Sequence, residues 1–219
     1  MSFEGFPDEG LVFYEGLEAD NSKTYWTRHR AVYEESVKAP LLAMLEELAP
    51  EFGTAKVFRP YRDVRFSNDK TPYKTHQGAV IHPEGASGAW YVQLSADGLR
   101  VGGGSWRLES DQVARYRRAV ADDVQGPRLQ AEVDRLARAG WSIDGERLVR
   151  VPAGHDADAP RLDLLKHRSL HASRAWEPSE WLHTRRALDE VRAAWRDLAA
   201  LNTWLSDNVG ATSKEVRRR

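Results

Sequence analysis

The first fifty residues carry apolar positions at helical spacing. Leu11 and Tyr14 open this pattern, and Asp20-Asn21-Ser22 offers caps for a second helix near 23–37. Pro40 suits the first turn of a third helix. The apolar stripe of that third helix is Leu41, Met44, Leu45 and Leu48. The N-terminal part of the chain is therefore predicted to be helical.

The apolar pattern then changes to the alternation that is typical of strands. Residues 56–66 are predicted to form a strand, and an extended segment is predicted near 168–175. Hairpins are predicted over 90–101 and 141–151, each turning at an Asp-Gly pair. Strands thus fall into two clusters along the chain.

Helical patterns lie between and after the strand clusters. Ser110 begins a predicted helix to about 121, Pro127 begins another to about 139, and a short helix is predicted at 161–167. The last predicted helices run from about 178 to 208. Tight hairpins, rather than repeated β-helix-β units, join the strands. We therefore predict an α+β fold with a mostly antiparallel sheet built from hairpins and packed against several helices.

Domain organisation and composition indicate an ordinary globular protein. We expect one domain over 1–219, with a basic, frayed tail at 211–219. The formal charge of -1 argues against a uniformly basic nucleic-acid coat. The absence of cysteine excludes disulfides, a thiolate nucleophile and cysteine-ligated metal. Residues 1–20 contain no Lys or Arg, unlike a signal peptide, and no run approaches ~18 apolar residues. We expect a cytoplasmic protein with no membrane partner.

The segment 59–76, RPYRDVRFSNDKTPYKTH, concentrates basic residues in a nearly neutral chain. Arginine presents paired donors that match phosphate or carboxylate, so the segment predicts an anion site. A second interpretation stays open, in which Asp63 and Asp69 pair with these bases and only orient the loop. If the segment is a site, its candidate ligand-binding residues are Arg62, Arg65, Lys70, Tyr73, Lys74 and Trp106.

The stretch RDVRFSNDKTPYKT, residues 62–75, resembles the hallmark of a bacterial and fungal family called domain of unknown function 2461. Further matching pieces are Asn21 followed by Trp26, the glycine run 102–104 before Trp106, and Leu165-Lys166. The resemblance extends over about 8–206. It implies a single α+β domain without an established activity, so it supplies no catalytic residues.

Other candidate chemistry is weaker. The glycine run 102–104 could bring a ligand close to backbone N–H groups, but a bulge or sharp strand exit packed by Trp106 is the favoured interpretation. No histidine pair has an established ligand spacing. His155 with Asp156 and Asp158 is more simply a solvated loop than a cation site. The sequence predicts no metal and no cofactor.

Three functions remain in competition. The first is binding of a small molecule or nucleotide, through its phosphate or carboxylate, in a basic pocket around 59–76. The second is an enzyme acting on such a ligand, with Asp63, Tyr73 and His76 as acid or base candidates. The third, not favoured, is a nucleic-acid or protein interaction through the same basic residues. The oligomeric state is left open.

Overall fold

A computed structural model of the chain describes residues 2–65 and 68–214. Within these ranges the strands form a six-stranded antiparallel sheet in the order β1-β2-β3-β4-β6-β5. The predicted α+β class is confirmed. The strands are β1 Ala55–Val57, β2 His76–Ile81, β3 Ala89–Ser95, β4 Gly98–Ser105, β5 Ser142–Asp144 and β6 Leu170–Trp176.

Helices precede, separate and follow these strands, as predicted. They are α1 Asp8–Ala19, α2 Lys23–Val32, a π-helix Tyr33–Lys38, α3 Ala39–Phe52, α4 Ser110–Ala121, α5 Gln125–Arg138, α6 Leu162–Leu165, a 3-10 helix Glu180–His183, α7 Arg186–Asp197 and α8 Ala199–Asn208. Among the described residues, none of the helices combines the length and the apolar character needed to span a membrane.

The chain divides into two compact units, each made of discontinuous segments. The first unit contains the described residues up to Ile81, together with Tyr91–Val101 and Ala175–Ala194. The second contains His82–Trp90, Gly102–Arg174 and the described residues from Trp195 onward. A single domain over 1–219 stays a prediction.

The helical part of the first unit follows the predicted pattern. The Ser22 hydroxyl accepts a hydrogen bond from the N–H of Tyr25 at 3.1 Å and so caps α2. The π-helix joins α2 directly to α3, whose first turn contains Pro40. Along α3 the stripe residues Leu41, Met44 and Leu48 are fully buried. These helices supply the core of the first unit.

The prediction of a strand over 56–66 is wrong beyond Val57. Pro60 has no N–H for a sheet ladder, and regular pairing stops before it. The chain still runs antiparallel to the segment before β2, through a Tyr61–Tyr73 bridge and a hydrogen bond from Phe58 N–H to Gly78 O at 3.0 Å. The described residues between Tyr61 and Tyr73 therefore belong to the long tip of an irregular hairpin. Phe66 and Ser67 lie outside the described residues.

The hairpin predicted over 90–101 is confirmed as β3 and β4, whereas the one predicted over 141–151 is wrong. The strand β5 pairs with β6, with Ile143 opposite Ala172. After Gly145 the chain stays on this partner, because Glu146 N–H donates to Ser169 Oγ at 2.7 Å. Pairing with a distant segment has thus displaced the local Asp-Gly turn that the sequence indicated.

The tail predicted to begin at 211 is in contact with α4 over its first residues. Ala211 O accepts a hydrogen bond from Arg115 at 2.6 Å, and Ser213 N–H donates to Asp111 at 2.8 Å. These bonds tie the chain to α4 as far as Ser213. Residues 215–219 lie outside the described part of the chain.

The glycine run 102–104 lies within β4, where missing side chains allow close packing. A Cβ on Gly102 would lie 2.9 Å from Ala172 O and 3.2 Å from the Trp106 ring. Gly104 has a φ of +127°, and its Cβ would lie 2.5 Å from the Cα of His171. The geometry supports the packing interpretation over an anion nest.

Gly104→Ala should destabilise the protein more than Gly140→Ala does. Both glycines have a positive φ, but nothing lies within 4 Å of a Cβ on Gly140. Backbone strain alone predicts a loss of about 1–2 kcal/mol at Gly140. Overpacking against His171 should add about 1–3 kcal/mol at Gly104. Urea denaturation measures both values, and equal losses would contradict the packing role.

Candidate functional site

The predicted cation Arg62 is engaged inside its own loop. Its Nη1 forms an ion pair with Asp69 and donates to the Thr71 hydroxyl at 2.6 Å. Asp69 also accepts from the Thr71 N–H at 2.9 Å. The Thr71 hydrogen bonds, followed by the Arg62 pair, lower the pKa of Asp69. Asp69 is therefore ionised and holds Arg62 at the base of the loop tip.

Arg65 and Lys70 are likewise engaged by loop atoms. The Arg65 guanidinium donates to both carboxylate oxygens of Asp63, at 2.9 and 2.6 Å. This hydrogen-bonded pair lowers the pKa of Asp63 to about 2. Lys70 Nζ donates to Val64 O at 3.0 Å. Because the pKa of Asp63 lies far below neutral pH, its carboxylate has little tendency to accept a proton. Asp63 is thus a poor general base at neutral pH.

Lys74 and His76 lie further down the hairpin. The Lys74 ammonium is 5.2 Å from the centre of the Phe58 ring, a cation–π distance. Burial lowers the pKa of Lys74, and the Arg59 charge lowers it further. Burial, followed by the charges of Lys74 and Arg62, lowers the pKa of His76. The imidazole of His76 is therefore neutral at pH 7.

Tyr73 is buried against the helical part of the first unit. Its ring stacks on Trp26, with 4.4 Å between centroids and 6° between planes. The Asn21 side chain also binds the backbone of Tyr73. Asn21 Nδ2 donates to Tyr73 O at 3.0 Å, and Asn21 Oδ1 accepts from Tyr73 N–H at 3.1 Å. We call this pair of bonds the Asn21 clamp. Trp106 belongs to the second unit, where it stacks on His171 at 4.9 Å.

A second buried contact holds the other side of the hairpin. The Tyr33 hydroxyl donates to Gln77 Oε1 at 2.6 Å, and Gln77 Nε2 donates to Phe58 O at 2.7 Å. Tyr33 comes from the π-helix, a form that occurs frequently at functional sites. The π-helix is thereby tied to the irregular segment that follows β1.

These contacts leave a cavity of about 350 Å³ beside the hairpin, which we call the aromatic cavity. Its walls come from α2, the π-helix and the irregular segment 57–61. The rings of Trp26, Tyr33 and Tyr61 lie close together. The centroid of the Trp26 ring is 4.8 Å from that of Tyr33 and 6.0 Å from that of Tyr61. The aromatic cavity therefore has a face on which a flat group could stack.

Charged residues also line the aromatic cavity. Lys38 forms an ion pair with Glu34 at 2.7 Å. Arg30 and Arg59 line it too, and neither forms a hydrogen bond or an ion pair with another described residue. Both arginine side chains are exposed at its rim. An anion in the cavity would therefore meet two guanidinium groups that no carboxylate already occupies.

The sequence pointed to part of this arrangement. Arg59 begins the basic segment, and Tyr73 was a predicted site residue that supports the Trp26 wall from behind. Arg30 was missed, although it follows Trp26 by four residues and so shares its face of α2. That spacing was the available signal. Across residues 2–65 and 68–214, no group of three or more His, Asp or Glu side chains is arranged to hold a metal.

Asn21→Ala should destabilise the protein by about 1–3 kcal/mol, because two hydrogen bonds to Tyr73 are lost. Near-ultraviolet circular dichroism should change as well, since the Trp26–Tyr73 stack loosens. The neighbouring exposed residue provides the control, and Asp20→Ala should leave both readouts nearly unchanged. A near-ultraviolet spectrum identical to wild type would argue against the Asn21 clamp as the element that positions Tyr73.

Comparison with known protein families assigns most of the chain to one family. A comparison with curated proteins found no match to this chain. The family model described as conserved hypothetical protein (DUF2461) matches residues 9–204, which include the Asn21 clamp, the basic segment and the glycine run. The family predicted from the 62–75 motif is confirmed, and the chain belongs to the DUF2461 family.

Proposed function

We propose that the first unit binds a small molecule through a phosphate or carboxylate group, and that the aromatic cavity is its binding site. The observation that carries the proposal is the pair Arg30 and Arg59. Both line the cavity, and neither forms an ion pair with another residue in the described ranges. A nucleotide is one ligand of this class.

The cavity has the size and chemistry of a small-molecule site. Its volume of about 350 Å³ lies within the range of about 300–1,000 Å³ that ligand pockets occupy. Two unpaired guanidinium groups outweigh the Lys38–Glu34 pair, which is internally neutral. Each guanidinium can donate two parallel hydrogen bonds to one oxyanion. Charge thus favours an anionic ligand.

The aromatic wall adds a preference for a flat group. Trp26 is buried and backed by Tyr73, so its ring is fixed, whereas Tyr61 is 48 % exposed. A planar group could stack on Tyr61 beside the fixed Trp26 edge without reordering the protein. Preorganised rings cost little entropy on binding. A ligand with both an anion and a ring would use both walls.

The loop tip supports this site rather than forming it. Arg62 and Arg65 are held by Asp69 and Asp63, so their charges are already balanced. Such exposed ion pairs contribute little to stability, because solvent screens them. They pair the described acids of the loop tip with its arginines, without making a strong anion site. The acid and base candidates also support the hairpin in this proposal. Asp63 is ionised and bound to Arg65, and His76 is neutral and half-buried.

Calorimetric titration tests the proposal with AMP, ribose 5-phosphate and benzoate as anionic probes and adenosine as the uncharged match. AMP should bind more tightly than adenosine. Arg30→Ala and Arg59→Ala should each weaken AMP about tenfold, which corresponds to loss of about 1.4 kcal/mol. Neither change should affect adenosine.

Arg28→Ala is the matched control, because Arg28 is exposed on the same helix and does not line the cavity. It should leave AMP affinity unchanged. The double change Arg65→Ala/Lys70→Ala locates the site independently. If that double change abolishes binding while Arg30→Ala and Arg59→Ala do not, the anion binds at the loop tip and the proposed cavity is wrong. Absence of binding by all three anions would also overturn it.

A further inference from the structure

A second cavity lies in the second unit and takes no part in the function proposed above. Its volume is about 460 Å³, and α5, β5 and the segment 161–167 contribute its walls. The polar side chains that line it are those of Gln130, Arg147, Arg161, Asp163 and His167. We call it the His167 cavity.

The imidazole of His167 has one fixed and one unpaired nitrogen. Its side chain is buried, with 5 % of the residue exposed. Nδ1 lies 2.9 Å from Ser169 O, and a carbonyl oxygen only accepts, so Nδ1 carries the proton. Burial lowers the pKa of His167, which keeps the ring neutral. Nε2 is therefore an acceptor, and no other described residue donates to it.

Arg161 has an unusual backbone conformation, and hydrogen bonds to the carbonyls of Val120, Ala121 and Asp122 hold its guanidinium in place. Its φ of 59° is in the left-handed region, which non-glycine residues rarely adopt. The guanidinium donates from Nε to Val120 O at 2.7 Å, at the end of α4. Gly126 makes room for it, since a Cβ there would lie 2.4 Å from Nε. Nη1 makes no hydrogen bond to any described residue, so a fixed donor remains available.

Arg147 supplies the second cation of the His167 cavity. Its Nη2 pairs with Asp163 Oδ1 at 3.0 Å, and its Nε and Nη1 have no partner in the described part of the chain. The Asp163 side chain is 87 % exposed, so this pair is a weak surface interaction. Asp163 is the one carboxylate among the lining residues. Among the lining side chains, two guanidinium groups therefore stand against one carboxylate.

We propose that the His167 cavity binds a small oxyanion that also carries an O–H donor. The oxyanion oxygens accept from Arg147 and Arg161, and the O–H donates to His167 Nε2. Hydrogen phosphate and 2-hydroxycarboxylates have this combination. An oxyanion without an O–H leaves Nε2 without a donor in the occupied cavity, which weakens binding. The site is thereby selective between anions of equal charge.

Two matched pairs of ions test this selectivity in the full-length protein. Hydrogen phosphate and sulfate carry the same charge at about pH 8, but only the first has an O–H. Glycolate and acetate form the second pair. Amide and imidazole nitrogen resonances of residues 161–167 report binding at this cavity alone, so the aromatic cavity does not contribute. We expect the hydroxyl-bearing ion of at least one pair to bind at least fivefold more tightly than its match.

Three variants assign the binding to named groups. His167→Asn keeps a donor for Ser169 O but removes Nε2, and should abolish the preference within each pair. Arg147→Ala should weaken every ion about tenfold. Arg150→Ala is the control, because Arg150 is exposed nearby and does not line the cavity. It should change nothing.

The proposal has three ways to be overturned. The first is the absence of localised shifts with all four ions. The second is equal affinity within both pairs. The third is a loss of ion affinity in Arg150→Ala as large as that in Arg147→Ala. This comparison uses two exposed arginines, so it does not depend on whether His167→Asn folds. Preference within the phosphate pair would assign a phosphate ligand, and preference within the glycolate pair a hydroxycarboxylate.

Discussion

One asparagine side chain determines where the basic hairpin lies in the first unit. Asn21, at the start of α2, binds both backbone polar groups of Tyr73, which is 52 residues away in sequence. An amide is suited to this, because it offers one donor and one acceptor in the same plane. Tyr73 then stacks on Trp26. The position of the aromatic wall, and therefore of the aromatic cavity, depends on this contact.

The distribution of charge around the hairpin follows from that anchoring. Short loops place their own acids next to their own bases, and Asp63 and Asp69 do so with Arg65 and Arg62. Arg30 and Arg59 come from a helix face and an irregular segment, and neither forms an ion pair with another described residue. Local charge density in the sequence was therefore a poor guide to available charge. The second unit repeats this principle, since Arg161 is bound to carbonyl groups and keeps one donor unused.

Periodicity predicted most elements because they depend on local sequence. The helices α1 to α5 and the β3–β4 hairpin match their patterns, and the end of β1 could be expected from Pro60. The pairing of β5 with β6 was missed, because Ser169 and its neighbours compete for the strand from a distant part of the chain. The family was predictable from one long motif.

The candidate site was only half predictable for the same reason. Residue types and a motif indicate Tyr73 and the basic segment, but they do not decide between an anion site and ion pairing within the loop. Arg30 joins the site only through packing of α2 against the hairpin, which no spacing within 59–76 contains. The free nitrogen of His167 depends on a carbonyl that the sequence cannot place.

A crystal structure of the protein with AMP bound would show which cations bind the phosphate. Its phosphate oxygens should lie within hydrogen-bond distance of Arg30 and Arg59, with the Arg62–Asp69 and Arg65–Asp63 pairs and the Asn21 clamp intact. Phosphate bound instead by Arg62, Arg65 and Lys70, with their internal pairs broken, would contradict it.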